Sequence, residues 1–270
     1  MTDTCCMDIK LNSNRSRKYS IFFVIVALLI ILLNVGASIY YIITQAASLV
    51  TVCNPFSAKS TAVQIFFVAL NSIEMGAWIF PVIFLVALFK ILSDQFTSYT
   101  NVFCKMTKDE GKNVWQKMKD IRLKHLQLCK AVDILEQDTK YLIAGNYVTN
   151  IFLICFIVYQ MVASNSAVPV LGYITFSIWL VMNFSIMASL SITAAQVNEE
   201  AHSSLQYIYD VEMDEVSRSE ALQIQLFLSK LNGPAIGFTV MGLITITKEF
   251  ILTLAGFILT YLFLLLQFNI

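Results

Sequence analysis

The sequence predicts an all-α membrane protein with five transmembrane helices, a cytosolic N-terminus, an outside C-terminus and long cytosolic helical extensions. Three observations lead there. Of the 270 residues, 57% are apolar and only 13% charged, against about half and a quarter in ordinary soluble chains. Apolar runs at 19–44, 63–92, 146–164, 170–195 and 250–268 each approach or exceed the 18 residues that read as a spanning helix. Finally, 17 of the 18 basic residues fall on one side of those runs, the side retained in the cytoplasm. Zero net charge argues against nucleic acid as a partner. The 20 Phe and 11 Tyr exclude disorder, and six scattered cysteines do not make a small disulfide-stapled fold.

Residues 1–18 form a cytosolic segment carrying Lys10, Arg15, Arg17 and Lys18. Cys5 and Cys6 fit acylation or plain thiols equally. The 19–44 run is longer than the core of a cleaved signal and follows a leader with Asp3 and Asp8, so it is expected to be retained as a signal-anchor. With 63–92 it makes the first two spans, residues 19–92, joined by a short outside loop whose one basic residue is Lys59. Pro81 marks a kink in the second span.

Residues 93–145 form a cytosolic helical anchor segment. Trp115, Met118, Arg122, His125, Cys129, Val132, Glu136 and Thr139 step by three or four, with Leu128 and Leu135 beside them, the spacing of one partly apolar helix face. The spacing predicts one helix over 112–164 that rises from the cytosol into the membrane, with Trp115, Leu128 and Leu135 as anchor-packing residues. Residues 146–195 hold the third and fourth spans. In a second cytosolic helical anchor segment, 196–245, the fourth span continues inward through Asn198, Glu199, Glu200 and Tyr207. An amphipathic helix follows at about 214–231, ended by Gly233, which permits a left-handed cap, and Pro234. Such helices pack into an assembly domain or lie on the membrane surface. Residues 246–268 form the last span.

Enzyme chemistry is hard to find. The two histidines, His125 and His202, sit on different cytosolic segments, no metal-ligand spacing occurs, and neither a Gly-rich phosphate loop nor a GxSxG elbow is present. The reading is therefore no catalytic residues, no metal and no cofactor. A small transporter is disfavoured because no internal repeat or pair of broken helices is evident.

Candidate ligand-pocket residues lie in the outer halves of the spans: Glu74, Trp78, Tyr159, Gln160, Tyr173, Phe176, Trp179 and Asn183. Aromatic rings with a few polar groups suit a small organic ligand such as a sugar or bitter compound, although interhelical hydrogen bonding and packing explain each residue equally well. Glu74, the only acid deep in a span, is expected to face a cavity, a polar partner or a subunit contact, or to be protonated.

The last span repeats polar or small residues at sevenfold spacing. Thr253, Thr260 and Gln267 share one stripe, with Glu249 and Gly256 near it. A helix facing water explains such a stripe; so do threonines bonded to their own preceding turn, with Gln267 in the headgroup region. Tyr261 and Phe268 make the neighbouring stripe, suited to packing on another subunit or to an interface belt.

That span reads LTLAGFILTYLFLLLQF. Thr260 and Tyr261, five apolar residues, then Gln267 and Phe268 resemble the TYhhhhhQF signature (h, hydrophobic) that closes the insect and arthropod gustatory receptor family. The preceding GLITITKEFILTLAG resembles that family's approach to its final helix. The resemblance covers about residues 19–268. It implies a seven-span receptor, inverted relative to G-protein-coupled receptors, assembled as a homo- or hetero-tetramer in the plasma membrane of sensory cells and acting as a ligand-gated non-selective cation channel opened by small organic tastants. In that family the last helix lines a shared pore, which makes Gln267, Phe268, Leu264, Thr260 and Thr253 the expected pore and gate residues; cytosolic extensions form an anchor. The five spans resemble the third to seventh. The first two have no counterpart, as expected of an incomplete gene model or of a short form, and the alternative function is a non-conducting paralogue that co-assembles with and modulates full-length receptors.

Overall fold

A computed structural model describes residues 61–109, 114–163, 170–209 and 217–268, together with 18, 21–22, 24–26, 28–32 and 35–36. The described residues between 18 and 36 are helical; the remainder of the 19–44 run lies outside the described residues. The elements that follow are α1 (Thr61–Asp109), α2 (Val114–Ala163), α3 (Val170–His202), α4 (Leu205–Tyr209), α5 (Arg218–Leu231), the strands β1 (Thr239–Val240) and β2 (Ile244–Thr245), and α6 (Lys248–Phe268). The chain is thus mostly helical. Four of the described helices are long and apolar enough to cross a membrane.

Length separates the helices. At ~1.5 Å per residue, α6 with its 21 residues reaches about 32 Å and matches a bilayer's hydrocarbon core. By contrast α1, with 49 residues, and α2, with 50, run to about 75 Å, so each extends well beyond any membrane it crosses. The helix predicted over 112–164 is α2. A feature the sequence reading did not contain is the continuation of α1 past residue 92 to Asp109 without a break, with Pro81 inside it.

One compact unit is built from Leu88–Thr149 and Met187–Leu259. Its core joins the inner part of α1 to α2, α4 and α5 through Tyr99, Phe103, Met118, Ile121, Ile208, Ile224, Phe227 and Leu231. The stripe read from α2 faces inward as its spacing requires: Met118, His125, Cys129, Val132 and Thr139 are all buried. Several polar groups inside this unit find partners. The Tyr99 hydroxyl donates to the Ile121 carbonyl at 3.3 Å, and Arg122 Nε donates to Gln223 Oε1 at 2.9 Å. His125, 1% exposed, lies 2.9 Å through Nε2 from the Ala201 carbonyl. A carbonyl only accepts, so Nε2 carries the proton and Nδ1 is free to accept from the Cys129 thiol 3.4 Å away.

α5 begins with a capping box. The Ser217 hydroxyl accepts from Glu220 N while the Glu220 carboxylate accepts from Ser217 N. Hydrogen bonds from Ser217 hold the Glu220 carboxyl below its ordinary range, so the box is complete above that range and opens as the pH falls through the lowered value. At the other end the left-handed glycine cap expected at Gly233 does not form. Asn232 closes the helix in the right-handed region with its N–H on the Leu228 and Lys230 carbonyls. Space favours glycine at 233, since a Cβ would lie a tight 3.1 Å from the Ser229 carbonyl oxygen.

From there to α6 the chain forms a strap on the unit. Phe238 stacks on Phe89 at 3.8 Å between ring centroids, Asn198 Nδ2 donates to the Ile236 carbonyl at 3.0 Å, and Ile246 is buried. The antiparallel pair β1–β2 sets Thr239 opposite Thr245 and Val240 opposite Ile244. The Thr239 hydroxyl donates to the Glu136 carboxylate. Lys248, the first residue of α6, reaches Glu199 on α3 at 2.6 Å.

The second compact unit comprises Asn150–Ile186 with the described parts of 14–87 and 260–268. Met75, Ile79, Val82, Leu85 and Val86 on α1 and Ile154 and Ile157 on α2 are its buried apolar residues. Gly76 on α1 faces Ile31: a Cβ there would lie 3.9 Å from the Ile31 side chain, an ordinary contact.

Candidate functional site

The last helix decides what this protein presents to its surroundings. Among the described side chains of α6 only Ile258 is buried, at 6% exposure, while Leu252, Phe257, Phe263 and Leu264 are open. Leu254, Ile258 and Leu265 lie on the covered face and Ile251 and Leu262 at its margins. At ~100° per residue, the stripe of Glu249, Thr253, Gly256, Thr260 and Gln267 lies about 165° around the helix from that covered face. All five are exposed. The polar stripe therefore points directly away from the protomer's own packing. Thr253 Oγ1 donates to the Glu249 carbonyl at 2.9 Å, the local bond that lets a threonine sit in an apolar environment, and Gly256 has nothing within 4 Å of the place a Cβ would take. Of the expected pore and gate residues, Thr253, Thr260, Leu264 and Gln267 are all on open surface; the side chain of Phe268 lies outside the described ones.

Tyr261 has a different role from Thr260 beside it. Its hydroxyl hydrogen-bonds the Cys155 thiol on α2, a contact that composition and spacing gave no means of finding. Together with Ile151, Phe152, Phe156 and Tyr159 these two residues line an open apolar groove of about 390 Å³.

Of the eight ligand-pocket candidates only Tyr159 lines that groove. Glu74 is exposed on α1, and Gln160, Tyr173, Phe176 and Trp179 are half-buried. Asn183 is fully buried and donates through Nδ2 to the Trp179 carbonyl at 2.8 Å, one turn back. Its Oδ1 and the indole Nε1 of Trp78 are buried polar atoms without a hydrogen-bond partner among the described residues. Native interiors hold few such atoms. Two of the eight therefore offer an unused acceptor and an unused donor, and no described contact gathers all eight around one cavity.

Residues 5–270 match the 7tm Chemosensory receptor family. The chain belongs to that family. This is the resemblance that the closing TY and QF residues carry, and it makes the protein a multi-pass membrane receptor of a class that is not enzymatic. Over 212 residues the receptor is 23% identical to the gustatory receptor for sugar taste 64a of Drosophila melanogaster, a stretch covering 78% of this chain and 44% of that one. The receptor thus spans less than half the length of this curated relative. Its fold is similar to that of the insect olfactory receptor OR5 from Machilis hrabei, with a TM-score of 0.63 at 15% identity over 94% of this chain and 70% of that one. The same olfactory receptor in complex with eugenol matches with a TM-score of 0.53 at 15% identity, with the same shares covered.

The receptor's anchor residues are distributed as follows. Leu128 packs at the edge of the core cluster, Leu135 is half-buried, and the side chain of Trp115 lies outside the described ones. The residues that carry the packing were not singled out from the sequence. Phe96, Phe103 and Phe227 are fully buried; Phe96 at 5.7 Å, Tyr99 at 5.5 Å and Phe227 at 5.2 Å close on the His125 ring, and Phe103 packs on Phe227. Their spacing on α1 and α5 was the available signal; Phe96, Tyr99 and Phe103 step by three and four.

Proposed function

We propose that this receptor is a gustatory-type subunit of a ligand-gated, non-selective cation channel in the plasma membrane of sensory cells, opened by small organic tastants and assembled with like subunits as a homo- or hetero-tetramer. The observation that carries the reading is the direction of the α6 stripe. A polar and small-residue line pointing away from the protomer on a membrane-length helix suits an aqueous path shared between copies. Thr253 and Thr260 line that path, Leu264, Gln267 and Phe268 form its constriction, and Glu249 stands at the inner mouth. A constriction of apolar side chains blocks ions by dewetting, and a ring of amides relieves the block when the helices spread. Most of the stripe carries no fixed charge, which accounts for weak discrimination among cations. Sugars are the first ligands to try, following the name of the Drosophila relative.

Cells expressing the chain, alone and with a full-length family member, are exposed to a panel of sugars while current is recorded. A charged thiol reagent applied during the response is expected to remove most of the current from Thr260→Cys and to leave Ile258→Cys unaffected. Reaction at Ile258→Cys with none at Thr260→Cys would reverse the helix orientation and end the pore reading. Surface tetramers without current in either setting would support the non-conducting, modulatory subunit instead.

Orientation has its own check. Because 17 of 18 basic residues lie on one side, an epitope after Ile270 is expected to stain on intact cells and one before Lys10 only after permeabilisation. The opposite pattern would remove the inverted topology.

A further inference from the structure

The strap between α5 and α6 carries an exposed apolar tip that the channel reading does not use. Residues 231–247 contain no Asp, Glu, Lys or Arg. One side of the strap is anchored by Phe238 and Ile246, both fully buried. The other side presents Met241, Ile244 and Leu243, and Leu243 is 81% exposed. The turn is well defined: Leu243 N donates to the Val240 carbonyl at 3.0 Å, and Gly242 N donates to Thr239 Oγ1 at 2.9 Å. Met241 and Gly242 both have positive φ, 56° and 76°, as a hairpin turn of the primed type requires. A methionine in that region is unusual, so apolar character is kept at the tip where glycine or asparagine would fit the backbone better.

The strap's partners fix where this tip lies. Phe89, under Phe238, is followed by Lys90 at the inner end of the 63–92 run. Glu136, which accepts from Thr239, lies one turn before Lys140 and Tyr141, and Lys140 Nζ sits 5.4 Å from the centre of the exposed Tyr141 ring, a basic and aromatic pairing typical of the membrane–water boundary. Asn198 and Glu199, which hold Ile236 and Lys248, come just after the 170–195 run, and Lys248 opens α6. On α1, α3 and α6 the strap touches within four residues of the end of the apolar run, and on α2 its contact is one turn before the Lys140–Tyr141 pair. An uncharged tip at that level meets lipid headgroups and the first methylenes rather than bulk water.

We propose that the Met241–Ile244 tip is a lipid-docking element, seated in the headgroup layer of the bilayer at the foot of α6. The contact is with phospholipid as a surface, and it fixes the depth at which α6 enters the membrane. This assignment depends on the receptor's being a membrane protein and not on its conducting ions.

The test uses the full chain with Cys5, Cys6, Cys53, Cys104 and Cys155 replaced by Ser, reconstituted in nanodiscs of phosphatidylcholine and phosphatidylserine. A nitroxide is attached at Leu243→Cys, at Ile244→Cys, or at Ser229→Cys on the exposed face of α5 as reference. Collision with oxygen, which concentrates in lipid, is expected to exceed collision with a water-soluble nickel chelate at 243 and 244, and the order should reverse at 229. More frequent collision with nickel than with oxygen at both tip positions would place the tip in water and overturn the proposal. Low collision with both relaxants, with or without spin–spin broadening, would place the tip against protein and overturn it as well.

Discussion

Phe227→Ala is expected to destabilise the anchor unit by about 3–5 kcal/mol. The ring is fully buried, packs edge-on against Phe103 at 6.4 Å and His125 at 5.2 Å, and joins α5 to the inner parts of α1 and α2. Removing it leaves a cavity beside an imidazole whose two nitrogens are already committed to Ala201 and Cys129, so no local hydrogen-bond rearrangement fills the space. Cys129 provides the readout, because its buried sulfur reacts with a bulky maleimide only when the unit opens. At 1.4 kcal/mol per factor of ten, its labelling should accelerate roughly a hundredfold or more, and oligomers that depend on the anchor should be lost while the protein stays in the membrane. An unchanged labelling rate would show that α5 is not part of the cooperative core. The packing of α5 would then be superficial.

The sequence around Phe227 does not say what that ring packs against. The stripe on α2 was legible because Met118, His125, Cys129, Val132 and Thr139 repeat at helical spacing along one uninterrupted helix, and all of them are buried. What fills the other side of that stripe comes from α1 and α5, and a one-dimensional pattern says which face of a helix is covered but not by what. Leu128 and Leu135, which stand beside the stripe in the sequence, flank the covered face. The continuation of α1 to Asp109 was hidden for a related reason, since charges scattered through 93–109 mask a helix whose buried residues, Ser93, Phe96, Tyr99, Thr100 and Phe103, follow one face.

The last helix shows the opposite case. Five stripe residues at near-sevenfold spacing were enough to define a line, and packing then decided which way the line faces, because Ile258 and its neighbours turn inward. The β1–β2 hairpin was illegible for want of length: two paired residues per strand give no alternation to detect, and the Gly at 242 reads equally as a loop. Gly233 is not in the left-handed region that its place before Pro234 suggests; what favours glycine there is the close Ser229 carbonyl oxygen. Tyr261 and Cys155 are far apart in sequence, on different helices, and neither type announces a pair.

Asn183→Leu is expected to leave the fold as stable as before, or more stable by about 1 kcal/mol, while weakening the response to an active ligand about three- to tenfold. Asn183 is 0% exposed, one of its polar ends is used on the Trp179 carbonyl, and the other, Oδ1, has no partner among the described residues. Burying an amide oxygen without a hydrogen bond costs about 1–3 kcal/mol, and leucine keeps the same heavy-atom branching without that penalty, its larger methyl groups offsetting part of the gain. Loss of the Nδ2 bond is a smaller matter, because the Trp179 carbonyl also belongs to the helix's own ladder. If a ligand hydroxyl donates to Oδ1, the substitution removes one neutral hydrogen bond, about 0.5–1.5 kcal/mol of binding, which corresponds to the stated loss of potency. Thermal unfolding and a dose–response curve on the same preparation separate the possible origins. A drop in stability would mean that Oδ1 is satisfied inside the protein and that Asn183 serves the packing of its helix, whereas a gain in stability with unchanged potency would leave the orphan oxygen out of ligand recognition. Trp78→Phe, which deletes the other unpartnered buried atom, Nε1, should behave in the same direction if the pocket uses a donor as well as an acceptor, because an indole N–H held in an apolar span gains most from a ligand oxygen that water cannot replace.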